Sequence, residues 1–123
     1  MDQTPDAFAA ALSSGDTDRV NRAIDSVDDM ELEERAALFD DCFERCRDLY
    51  ASDNGYQRQS VVRFAAALYP GLAFRTVGAD RTDAVLPDDW TLDEIATHRH
   101  RLREFYLDAL VDDDGRVRRA AAK

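Results

Sequence analysis

Two cysteines, two histidines, one tryptophan and a single lysine, Lys123, are all that this 123-residue chain offers of those residue types. No apolar run approaches the roughly 20 residues that a bilayer span requires. Asp2 and Asp6 stand where a signal peptide would be basic. A cytoplasmic protein without membrane attachment is therefore expected. Cys42 and Cys46 lie four apart on a predicted helix, where a mutual disulfide is geometrically poor and a reducing compartment disfavours one. Thiolates at that spacing share a zinc ion only if two further ligands converge. His98 and His100 do not supply them, because residues two apart project from opposite sides of a helix. Both cysteines fall on an apolar face, where free Cys behaves as a small hydrophobe. We expect no metal and no cofactor.

Charge is plentiful and unbalanced, with 26 Asp plus Glu against 16 Lys plus Arg and a formal net charge of −10. Residues 1–55 hold 15 acids and 5 bases, while residues 56–123 hold 11 of each. The excess thus lies wholly in the first half. An acidic chain in which Arg has almost replaced Lys resembles proteins of salt-loving archaea, whose carboxylates keep the surface hydrated. Length and composition fit one domain, 1–123, large enough to bury a core of a few helical hairpins.

The periodicity is helical throughout. Thr4 and Pro5 open a first helix as N-cap and first helical residue, and Ser14-Gly15 closes it. Asp16 caps a second, which carries Val20, Ala23, Ile24 and Val27 on one face. A long amphipathic helix over about residues 29–51 places Leu32, Ala36, Phe39, Cys42, Phe43, Cys46, Leu49 and Tyr50 on one side. Asp53-Asn54-Gly55 follows as a turn, with Asn and Gly expected to take positive φ. The next helix turns Val61, Phe64, Ala65 and Leu68 inward and stops at Pro70-Gly71. Residues 70–90, with Gly71, Gly78, Pro87 and Trp90, read as an irregular insertion. Thr91 to Glu94 is a capping box for a helix that buries Ile95, Leu102, Tyr106, Ala109 and Leu110. A last helix begins near Gly115, and barely two turns later, at Lys123, its hairpin is expected to lack part of its interface.

One element recurs. Ser52-Asp53-Asn54-Gly55-Tyr56-Gln57-Arg58 and Asp112-Asp113-Asp114-Gly115-Arg116-Val117-Arg118 stand sixty positions apart, and each follows a long amphipathic segment. The second copy, at Asp112, Asp114, Val117, Arg118 and Ala121, resembles the D-x-D-x-x-V-R-x-x-A signature of HEAT and HEAT-like (bilin-lyase-type) repeats. The first keeps Arg58 and Val61 but has Ser52, Asn54 and Gln57 in the other places. The resemblance implies an all-α fold, a short HEAT-like α-solenoid of helical hairpins with a two-helix N-terminal cap. It also implies that Arg58 and Arg118 are structural rungs bonded to a carboxylate or carbonyl of the turn or the adjacent hairpin. The acidic turn at Asp112 to Gly115 lacks the spacing of a calcium loop and reads as a cap.

Nothing in the sequence forms a catalytic constellation, and repeat scaffolds host many functions. The expected role is a non-enzymatic protein-binding or scaffold module, acting on an unidentified protein partner or as a homo-oligomer. The alternative is a nucleic-acid-associated, DNA-repair-type protein that uses the Arg-rich stretches at 99–103 and 116–119. Glu104 and Asp108 interleave with the first stretch and weaken it, and the single Trp gives no glycosylase-like aromatic arrangement. A lyase-like chaperone rests on the family name alone. Arg99, Arg103, Tyr106, Leu110, Arg116 and Arg119 are the candidate interaction surface. Tyr106, Ala109, Leu110, Val117, Ala121 and Ala122 are expected to form its apolar side.

Overall fold

The computed structural model describes residues 2–68 and 92–122, and among them every regular element is a helix. The helices are α1 (Pro5–Leu12), α2 (Thr17–Asp28), α3 (Leu32–Tyr50), α4 (Gly55–Leu68), α5 (Leu92–Leu110) and α6 (Gly115–Ala122). The expected insertion at 70–90, the stop at Pro70-Gly71 and the capping box begun by Thr91 lie outside the described residues.

Local chemistry sets the helix starts. Thr4 accepts the Ala7 amide at 3.1 Å with Pro5 in the first helical turn, and Asp16 accepts the Asp18 amide at 2.9 Å. Helix α3 is shorter than the periodicity suggested. Asp29 is the C-cap of α2 and Met30 is buried in the link, so α3 begins only after Glu31, whose amide donates to the Glu34 side chain at 3.4 Å.

The six helices pair as hairpins and stack in order. Within the hairpins α1 packs on α2, α3 on α4 and α5 on α6, and between them α1 packs on α3, α2 on α4 and α4 on α6. Side chains join α3 to α5: Phe39 meets His98 edge-on at 4.7 Å, Phe43 meets Phe105 at 5.7 Å and Tyr50 meets Phe105 at 5.2 Å. The Phe8 and Phe64 rings, 5.1 Å apart, lock the first hairpin to the second. Phe8, Phe39, Phe43 and Phe64 are fully buried, and burial of each such side chain contributes about 1.5–3 kcal/mol. The expected inward residues of α2 and α4 are buried, apart from Ile24, which is half-buried. Cys42 and Cys46 are free thiols inside this core, and burial raises both pKa values, that of Cys42 to about 11.

Two expectations for the last hairpin need correction. Helix α5 faces inward through His98, Leu102, Phe105 and Ala109, a stripe fixed by the rings of α3. Leu110 falls one helical step off that stripe and is 41% exposed. The proposed apolar side also divides: Ala109 and Val117 are fully buried within the stack, whereas Tyr106 and Ala121 are half-buried and Ala122 is exposed. The glycine of the middle turn needs correction as well. Among the described residues only Gly15 has positive φ, at 73°, so Asn54 and Gly55 do not use the left-handed region. Gly55 is required for another reason. A Cβ there would overlap the Asp114 carboxylate, 2.7 Å from its Cγ, because the turns of the second and third hairpins approach closely.

Candidate binding groove and the locked turns beside it

The turns repeat atom by atom. The Asn54 amide donates to Ser52 Oγ at 3.0 Å and the Asp114 amide to Asp112 Oδ1 at 2.9 Å. The Asn54 side chain accepts the Tyr56 amide at 2.9 Å, as Asp114 accepts that of Arg116 at 2.8 Å. Arg58 Nη1 donates to the Ser52 carbonyl, and Arg118 Nη1 to the Asp112 carbonyl. The first hairpin contains a third, looser copy. The Asp16 amide donates to Ser14 Oγ at 3.1 Å and Asp16 caps α2, thirty-eight positions before the Ser52 turn. Sequence reading missed this copy, whose signal was Ser14-x-Asp16 set against Ser52-x-Asn54.

What Arg58 does with its remaining donors joins two hairpins. Its Nε and Nη2 meet the two oxygens of Asp112, each at 2.9 Å, and Tyr50 donates its hydroxyl to the same carboxylate at 2.6 Å. With the Asp114 amide, Asp112 accepts four hydrogen bonds. The Arg58 guanidinium, with help from Tyr50 and the amide, holds the Asp112 carboxyl down at about 2 against the cost of its burial. Burial and the carboxylate together push the Tyr50 hydroxyl above its ordinary range. Asp114 is held well below the usual carboxylate range by the Arg116 side chain, which grips it at 2.7 Å, and by the Arg116 amide. The Asp112 carboxylate is thus fully occupied by bonds from within the chain. It is structural.

A groove of about 700 Å³ runs across the second helices of the stack. Ile24 and Asp28 of α2, Gln59, Arg63, Ala66 and Ala67 of α4, and Arg116, Arg119, Ala120 and Ala121 of α6 line it, with Tyr106 of α5. Its described lining therefore holds three guanidinium groups and one carboxylate in a chain of net charge −10. Arg63 bonds Asn21 at 3.0 Å, Arg116 is held by Asp114, and Arg119 has no hydrogen-bond or ion-pair partner among the described residues. Ala66, Ala67, Ala120 and Ala121 are the small residues of its lining.

The six candidate surface residues separate into two sets. Tyr106, Arg116 and Arg119 enter this groove, while Arg99, Arg103, Tyr106 and Leu110 border a second depression of about 370 Å³ beside α5. Tyr106 belongs to both. Arg63 and Gln59, on the middle hairpin, were missed, because no local pattern relates them to residues some sixty positions away. The basic stretch of α5 is also less open than its sequence suggests. His98 is buried, and Arg101 reaches back to α3, to Asp40 at 2.7 Å and Glu44 at 3.1 Å, with its guanidinium over the Phe43 ring. The carboxylates that hold Arg101 come from α3 and not from its own helix. Among the described residues no group of three or more His, Cys, Asp or Glu side chains is placed to hold a metal ion. No family model, curated protein or solved structure matches the chain.

Proposed function

We propose that this protein is a non-enzymatic binding module, a short HEAT-like stack of three hairpins whose groove across α2, α4 and α6 holds an acidic amphipathic helix of another protein. The observation that carries the reading is the gathering of Arg63, Arg116 and Arg119 with four alanines in one groove of a chain otherwise dominated by carboxylates. Small lining residues let a helix approach closely, and Arg63 and Arg119, which hold no carboxylate among the described residues, pair with carboxylates along it. Field of that sign within an acidic molecule selects the orientation of an acidic partner more than it adds affinity. The HEAT-like assignment rests on the recurring turns, the ordered stacking of first and second helices, and the Arg58 to Asp112 rung between hairpins. A surface rich in carboxylate and almost free of Lys suits the cytoplasm of a salt-loving organism. Nucleic acid is a poorer occupant, because a net charge of −10 opposes a polyanion and Arg101 is already paired.

Selection of displayed helical peptides against the full chain tests this. We expect enriched sequences to carry Asp or Glu on one face and to bind at least tenfold more weakly to an Arg63→Glu, Arg119→Glu double variant of unchanged melting temperature. Peptides indifferent to that variant would refute the groove. Duplex DNA binding that weakens steeply with salt and is lost in the same variant would replace the protein partner with nucleic acid.

A further inference from the structure

The third hairpin presents, on its outer edge, two of the three groups with which the second hairpin holds the third, an arginine and a glycine, with Leu110 in place of the tyrosine. On the second hairpin Tyr50, Gly55 and Arg58 receive an Asp-x-Asp turn: Tyr50 and Arg58 bond Asp112, and Asp114 lies against the bare Cα of Gly55. Sixty positions on, Leu110, Gly115 and Arg118 occupy the corresponding places. Arg118 uses Nη1 on the Asp112 carbonyl as Arg58 uses its own on Ser52, and its Nη2 lies beside Gly115. Its Nε and Nη2 hold no carboxylate among the described residues. At Gly115 a Cβ would meet only Arg118 Nη2, at 3.4 Å, and no carboxylate fills the place that Asp114 takes at Gly55. The large apolar side chains exposed among the described residues, Leu107, Leu110 and Val111, cluster at this same end.

We propose that this edge docks a helical hairpin of a partner protein whose turn carries Asp-x-Asp ahead of a helix, with the first carboxylate gripped by Arg118 and the second seated over Gly115. The occupant follows from chemistry already built once into the molecule, where a guanidinium fork and a bare Cα at these positions receive an Asp-x-Asp turn. A second copy is a poorer fit. Its Asp112 is already committed to its own Arg58 and Tyr50, and its other two turns offer Ser14 and Ser52 at that place. This face is distinct from the groove, so either proposal stands without the other.

A fluorescein-labelled peptide with the sequence of residues 104–122, cross-linked within each helical segment and verified as helical by circular dichroism, presents the turn free of Arg58 and serves as probe for the full chain. Anisotropy should show saturable binding that is weakened at least tenfold by Arg118→Ala in the protein and by Asp112→Asn in the peptide, and left unchanged by Arg119→Ala in the groove. Arg118→Lys, which keeps the charge but not the two-pronged geometry, should repeat the loss while melting at the wild-type temperature. Absence of saturable binding, or binding indifferent to both Arg118 variants, would overturn the proposal. Loss on Arg119→Ala alone would assign the peptide to the groove and overturn it equally. Self-association of the chain alone, abolished by Arg118→Ala in sedimentation experiments, would give the edge to a second copy and overturn the stated occupant.

Discussion

Asp112→Ala should destabilise the protein by about 3 kcal/mol, read as a shift of the urea midpoint at unchanged slope and a fall in melting temperature of roughly 10 °C. The carboxylate accepts two bonds from Arg58, one from Tyr50 and one from the Asp114 amide, and its side chain is 8% exposed. Its removal leaves the Arg58 guanidinium charged and poorly hydrated between two hairpins. Breaking a buried pair from one side is costly because the surviving charge has lost both its partner and water. Tyr50→Phe removes one bond of the four and should cost only about 1 kcal/mol. The pH dependence has a definite sign. The Asp112 carboxyl is held at about 2 in the fold, below the value near 3.9 of an unfolded chain, so its contribution is fully present above about pH 4. It is lost as the pH falls from there through about 2. The stability difference between wild type and Asp112→Asn should therefore be constant from pH 5 to 7 and shrink below pH 4. A difference that grew on acidification would contradict the bonding described.

Gly55→Ala and Gly115→Ala should part company, although the two glycines occupy equivalent places at the starts of α4 and α6. At Gly55 the added methyl overlaps the Asp114 carboxylate, which the Arg116 side chain and amide hold in place as the N-cap of α6. Relief requires either loss of that cap or separation of two packed hairpins, and we expect a cost of about 2 kcal/mol. At Gly115 the methyl meets only the tip of Arg118 and φ is not positive, so Ala loses only unfolded-chain freedom and the change should be neutral or stabilise by up to about 1 kcal/mol. Paired chemical denaturation of the two variants decides the matter. Equal effects would mean that the close approach of the turns is not a constraint on the fold.

The contrast between those glycines marks how far sequence reading reaches. Helix positions were legible because caps such as Thr4 and Asp16 and the three-and-four spacing of Val61, Phe64, Ala65 and Leu68 are local signals. The role of Arg58 was legible too, through the sixty-residue recurrence. Gly55 was recognised as special for the wrong reason, since close approach of a distant turn leaves no local trace. Leu110 and Phe105 show a similar limit. Either residue suits an apolar stripe of α5, and the rings of Phe43 and Tyr50 on another helix decide which one is buried. The groove was the least legible part, because Ile24, Arg63 and Arg119 come together only when three hairpins stack. The first copy of the turn escaped notice because it stands thirty-eight positions from its neighbour, while the other interval is sixty.

Cys42 and Cys46, sealed among the phenylalanines of α3, make the molecule its own reporter of breathing motions. A thiol reagent reaches only the thiolate, and in the folded chain both sulfurs are inaccessible and reluctant to ionise. Alkylation must then await an opening that lifts α3 from its neighbours. At fixed reagent and pH, the labelling rate measures how often that happens, without any engineered probe. If capture of a partner tightens the stack, the same two sulfurs should become slower to label, and the modification rate becomes an assay of occupancy.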